Sequence, residues 1–139
     1  MPAKNIYHDA AVDALKTDGW TITHDPLTLR VGDRDLHVDL GAERLPIGAE
    51  KAGARIAVEI QSFRSPSGVA DLQQALGQFL MYQLILADQD PERVLYLAVP
   101  RTVYDGILSE PIGERMITGA RMRVMVFDPV RREVVEWIS

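Results

Sequence analysis

RIAVEIQSF, residues 55–63, is an apolar run that reads as a strand yet carries an acid and an amide in its second half. Side chains alternate across a strand, so Ile56, Val58 and Ile60 share one face, while Arg55, Ala57, Glu59, Gln61 and Phe63 share the other. Apolar residues on both faces of IAVEI predict a central strand, where an unpaired carboxylate is costly to bury. Glu59 therefore needs compensation, and three sources are open: a divalent cation, an arginine such as Arg44 or Arg55, or water at a strand end. Magnesium takes oxygen ligands, usually one or two carboxylates with waters, at times with a strand carbonyl such as that of Ile60.

A second carboxylate stands upstream in LHVDLGAER, where Asp39 follows an alternating strand and Glu43 shares its parity if the chain stays extended. Gly41 offers a bend between them, which makes Asp39 the stronger candidate ligand and Glu43 the weaker.

Outward from these stretches the chain reads as α/β. Ile6, Ala10, Ala14 and Leu15 at helical spacing predict a first helix over residues 4–18, stopped by Gly19. TITHD, LTLRV, DLHVDL and the 55–63 run, punctuated by Gly32-Asp33, predict a meander of antiparallel strands. Pro66, Ser67 and Gly68 break the chain before an apolar stripe from Val69 to Ala87, which predicts a second helix over 69–88. VLYLAVP at 94–100 is a buried strand, a short helix covers 102–108, and MRVMVFD with VVEWIS forms a hairpin about Pro129, together a C-terminal α/β extension. With 139 residues, 47% of them hydrophobic, a single domain can bury a sizeable core.

Composition narrows the function classes. No run reaches the roughly 18 apolar residues of a membrane span, and MPAKNIYHDA lacks the apolar segment of a signal peptide, so no membrane is expected and the location reads as cytoplasmic. The absence of cysteine rules out disulfides and thiolate metal sites. A net charge of −5 predicts modest nonspecific affinity for nucleic acid unless a local basic patch offsets it. Arg115, Arg121, Arg123, Arg131 and Arg132 are such a patch or, as charge runs more often are, a solvated face. Phosphate loops, dinucleotide glycine patterns and zinc signatures are missing.

A helix, a strand meander bearing an acid, a strand with Glu59-Ile60-Gln61, then helix and strand resembles the plan of the PD-(D/E)xK restriction-endonuclease-like superfamily. More closely, IYHDAAVDAL, DGWTITHDPLT, RDLHVDLGAERL, AEKAGARIAVEIQSF, DLQQALGQF, LYLAVP, EPIG and VFDP resemble the XisH family, the fdxN element excision controlling factors of cyanobacteria. The resemblance implies a restriction-endonuclease-like core and control of programmed DNA excision alongside a site-specific recombinase and an XisI-like partner, with DNA as a further partner and self-association open. It maps the superfamily's acids to Asp39 and Glu59, as magnesium ligands, and its lysine to Gln61. Glutamine hydrogen-bonds without charge, so metal binding survives this departure better than catalysis. A magnesium-dependent endonuclease is the alternative to a noncatalytic accessory factor.

Gln74, Gln78 and Tyr82 lie four apart on the second helix, and Gln78 with Tyr82 resembles the Q-x-x-x-Y motif beside the acids in some of these nucleases; a plain helix surface reads as well from spacing. His8 and Asp9 stand where related nucleases place an additional acid, although Asp9 equally suits a helix N-terminus. His24 and His37 have no metal-ligand spacing.

Overall fold

The computed structural model describes residues 6–45 and 53–139. A central six-stranded sheet is formed by β1 (Thr21–His24), β4 (Leu40–Arg44), β5 (Ala54–Ile60), β6 (Arg93–Pro100), β7 (Val124–Asp128) and β8 (Glu133–Ile138), in that spatial order. β1/β4, β4/β5 and β7/β8 pair antiparallel, whereas β5/β6 and β6/β7 pair parallel. Parallel neighbours need a crossover, and α2 (Gly68–Gln89) supplies the one between β5 and β6. The Ser67 side chain caps α2 by accepting from the Ala70 N–H at 3.2 Å, and Asp90 followed by Pro91 ends it.

The sheet separates two cores. Ala10, Ala11, Ala14 and Leu15 of α1 (His8–Thr17) pack on Leu40, Ala42, Ile56, Val58 and Ile60. Leu72, Ala75, Phe79, Tyr82 and Leu86 of α2 pack on Ala57, Leu95, Leu97 and Val99 of the opposite face. The predicted alternation of the 55–63 run is therefore present: its even residues face α1, and Ala57 faces α2.

The meander differs from its prediction. β2 (Leu27–Val31) and β3 (Arg34–Val38) leave the sheet as a separate hairpin turned at Gly32, whose φ of 59° suits glycine, and β1 pairs with β4 instead. DLHVDL is two strands rather than one. Val38 and Leu40 would share a face in an unbroken strand, yet Val38 is buried in the α2-side core and Leu40 in the α1-side core. The chain bends at Asp39 to bring this about.

The C-terminal segment is part of the sheet and not an appended extension, because β7 is buried beside β6 as a parallel strand. The helix expected over 102–108 divides into α3 (Arg101–Asp105) and a 3-10 turn at Ile107–Ser109. α4 (Pro111–Gly119) was not predicted, although Pro111 at its first turn is a usual helix start. The first helix starts at His8, later than expected, and residues 4 and 5 lie outside the described residues.

Gly113 is buried where α4 crosses the 3-10 turn, and a Cβ there would collide with the backbone of Ile107 and Leu108. Gly113→Ala is expected to destabilise the protein by about 1–3 kcal/mol, despite alanine's better helix propensity. Thermal denaturation checks this, and an unchanged midpoint would contradict the packing described.

Candidate functional site

The bend at Asp39 is fastened to the end of β5 by a reciprocal exchange. The Asp39 N–H donates to Glu59 Oε1 at 3.1 Å, and the Ile60 N–H donates to Asp39 Oδ2 at 2.8 Å. Two carboxylates from strands 20 residues apart are thus held against one another by the backbone. Glu59 is only 7% exposed. Burial first, and the Asp39 carboxylate second, push the Glu59 carboxyl up to about 9, against a smaller opposing effect of the Asp39 N–H.

Neither arginine considered for Glu59 reaches it. Arg55 lies at the opposite end of β5, bound to Asp90 at 2.6 Å and to Glu92 at 3.6 Å, and Arg44 is bound to Asp18. Among the described residues Glu59 has no cationic partner.

α2 closes the site from the other side. Gln61 Nε2 donates to Gln78 Oε1. Tyr82 is buried, and its hydroxyl donates to the His37 carbonyl at 3.3 Å, tying the helix to the hairpin just before Asp39. Burial, then Glu59, then Asp39 push the Tyr82 hydroxyl up to about 12, so it stays protonated beside both acids. The resulting groove of about 400 Å³ is lined by Asp39, Glu59, Gln61, Gln74 and Gln78, and also by Ser62, Arg64, Ser65 and Asp71.

Asp39, Glu59, Gln61, Gln78 and Tyr82 are therefore brought together, and His8, Asp9 and Glu43 are not. His8 is buried on α1 with Nε2 2.9 Å from Asp25 Oδ2, where it anchors the helix start to the β1–β2 corner. Asp9 is exposed in the first turn of α1. Glu43 faces Arg55 across β4/β5, four residues from Asp39 and therefore about 13 Å away along the strand. Arg64 and Asp71 were missed in the sequence. Phe63 takes a left-handed φ of 53°, which strand periodicity does not anticipate, and this turn sends Arg64 into the groove.

The XisH protein family model matches residues 1–135. The chain belongs to the XisH family. An XisH family protein from Nostoc punctiforme is 37% identical over 97% of this chain and 100% of its own, with a TM-score of 0.87. A fdxN element excision controlling factor protein from Anabaena variabilis is 36% identical over 98% of this chain and 100% of its own, with a TM-score of 0.88. No curated protein matches. In this chain the acid pair stands at the carboxyl end of β5, which runs parallel to β6, where open α/β sheets commonly bind ligands.

A raised carboxyl pKa favours the neutral acid in the folded state. The contribution of Glu59 to stability is complete below its ordinary value of 4.5 and is lost as pH rises toward 9. Glu59→Gln keeps an acceptor for the Asp39 N–H and carries no charge. In metal-free buffer it is expected to exceed wild type in stability by a few kcal/mol at pH 8, with the gap closing toward pH 4. Paired denaturation curves across pH test this; a gap that does not grow with pH contradicts the burial of a charge at Glu59.

Proposed function

We propose that the chain is an accessory factor in programmed site-specific DNA excision that uses a restriction-endonuclease-like core. Its partners are a recombinase, an XisI-like protein and DNA, and its groove holds a divalent cation such as magnesium on Asp39 and Glu59. The observation that carries this reading is the meeting of those two carboxylates in a polar groove, in a member of a family whose Anabaena variabilis relative is named for control of fdxN element excision.

The donor set fits a hard dication. Both candidate ligands are carboxylate oxygens, Glu59 is buried, and no arginine among the described residues neutralises it. A bound ion would supply Lewis-acid polarisation of a phosphoryl oxygen and a more acidic water. Asp39 and Glu59 are oriented for it by the backbone exchange. Gln61 is held by Gln78 and brings hydrogen-bonding capacity without the positive charge of lysine. The site is thus better provided for binding phosphodiester and metal than for stabilising charge during cleavage.

Protein association draws on a different surface. Trp137 is packed against Trp20 and Tyr96, with ring centroids 5.9 and 4.8 Å away. Tyr104 is half-buried against the α2-side core. The outward face of α2 instead exposes Leu80, Met81 and Leu84, the last to 74%, as the apolar surface an XisI-like protein would cover. The described helices include none long and apolar enough to cross a membrane.

Mn²⁺ is expected to raise the thermal midpoint of wild type and to leave Asp39→Ala and Glu59→Ala unmoved, by mass action on the folded state. Equal shifts in all three proteins would remove the metal from this groove. Co-purification with an XisI-like protein at micromolar concentration, lost in Leu84→Glu, is the expected result for the accessory role; no association refutes it. Metal-dependent DNA cleavage that Glu59→Ala abolishes would instead establish the endonuclease alternative.

A further inference from the structure

We propose that Arg64 is the phosphate-binding residue of the groove, contacting a DNA backbone phosphate beside the Asp39–Glu59 pair and supplying the positive charge absent at position 61. The proposal rests on reading the groove as a metal and phosphodiester site, and it names the residue that meets the nucleic acid there.

Arg64 is the one basic side chain among the described residues lining the groove. The three lysines of the chain are Lys4, Lys16 and Lys51, and the described one, Lys16, lies in the last turn of α1 on the other side of the sheet. Most other described arginines have a polar partner: Arg30 binds Asp35, Arg44 binds Asp18, Arg55 and Arg93 bind Asp90, Arg101 binds Asp105, Arg123 binds Gln83, and Arg132 binds Asp13. Arg64 has no hydrogen bond or ion pair with a described residue, although Asp39, Glu59 and Asp71 line the same groove. Asp71 is engaged instead by the Ser65 N–H at 3.1 Å.

The backbone fixes where this cation stands. The left-handed turn at Phe63 lets the Phe63 ring pack on the α2-side core, and the next residue is Arg64 at the groove. An anchored aromatic directly before an unpaired guanidinium holds the charge near the groove in a way a long surface loop would not. Three carboxylates line that groove and the whole chain carries −5, so a polyanion needs a local cation in order to approach. A guanidinium also presents a planar fork that matches two phosphate oxygens, which an ammonium does not.

The test is fluorescence anisotropy with a labelled DNA duplex in Ca²⁺ over a salt series, for wild type, Arg64→Ala, Arg64→Lys and the hairpin control Arg34→Ala. Mn²⁺ titration calorimetry is run beside it. Arg64→Ala is expected to weaken DNA binding about tenfold, as loss of one charge-assisted contact does, and to reduce the log–log salt slope by about 0.9. Arg64→Lys restores the slope but only part of the affinity, and Arg34→Ala matches wild type. Mn²⁺ affinity is unchanged in every Arg64 variant. Wild-type affinity and slope in Arg64→Ala, or no DNA binding by wild type, overturn the proposal while Mn²⁺ binding at Asp39 and Glu59 stands. Absence of Mn²⁺ binding together with an Arg64-dependent slope overturns the metal reading and upholds the phosphate contact.

Discussion

The reciprocal pair of hydrogen bonds between the Asp39 bend and the end of β5 is the constraint on which the rest of the site depends. It completes the switch of the chain from the hairpin to the sheet, and so from one core to the other, within two residues. It also satisfies backbone donors that a bend inside a sheet would otherwise leave unpaired, an expensive outcome in a buried position. The same bonds force two carboxylates together. Fold and site are therefore not separable at this point: the bend needs the acids as acceptors, and the acids owe their proximity to the bend.

The parts of this arrangement legible in the sequence were those governed by period. Alternation placed Glu59 of β5 and Gln61 just past its end on one face, and helical spacing set Gln78 and Tyr82 on the matching face of α2. Both assignments needed only local geometry. The illegible parts were those where one residue changes the direction of the chain. Asp39 looked like one more residue of an alternating strand, because Val38 and Leu40 are both apolar; that they belong to different cores is a tertiary fact. Phe63 in a left-handed conformation and the tight crossing of α4 at Gly113 are of the same kind. Long-range topology was also out of reach, since β1 pairing with β4 rather than β2 depends on where β5 stands.

The likeness of this chain to its Nostoc punctiforme and Anabaena variabilis relatives covers nearly the whole of each. Gln61 is accommodated by Gln78, so position 61 brings hydrogen-bonding capacity to the groove without positive charge.

The β2–β3 hairpin has a further consequence. A two-stranded hairpin is marginal alone in water, so this one owes its order to α2: its Leu27, Leu29 and Val38 sit in the α2-side core, Gln89 Nε2 donates to the Arg30 carbonyl at 2.7 Å, and Tyr82 holds His37. Asp39 is the next residue after that hairpin. The acid pair therefore joins a stiff central strand to the segment of the fold whose order is borrowed. The geometry of the acid pair therefore depends on the docking of the hairpin against α2.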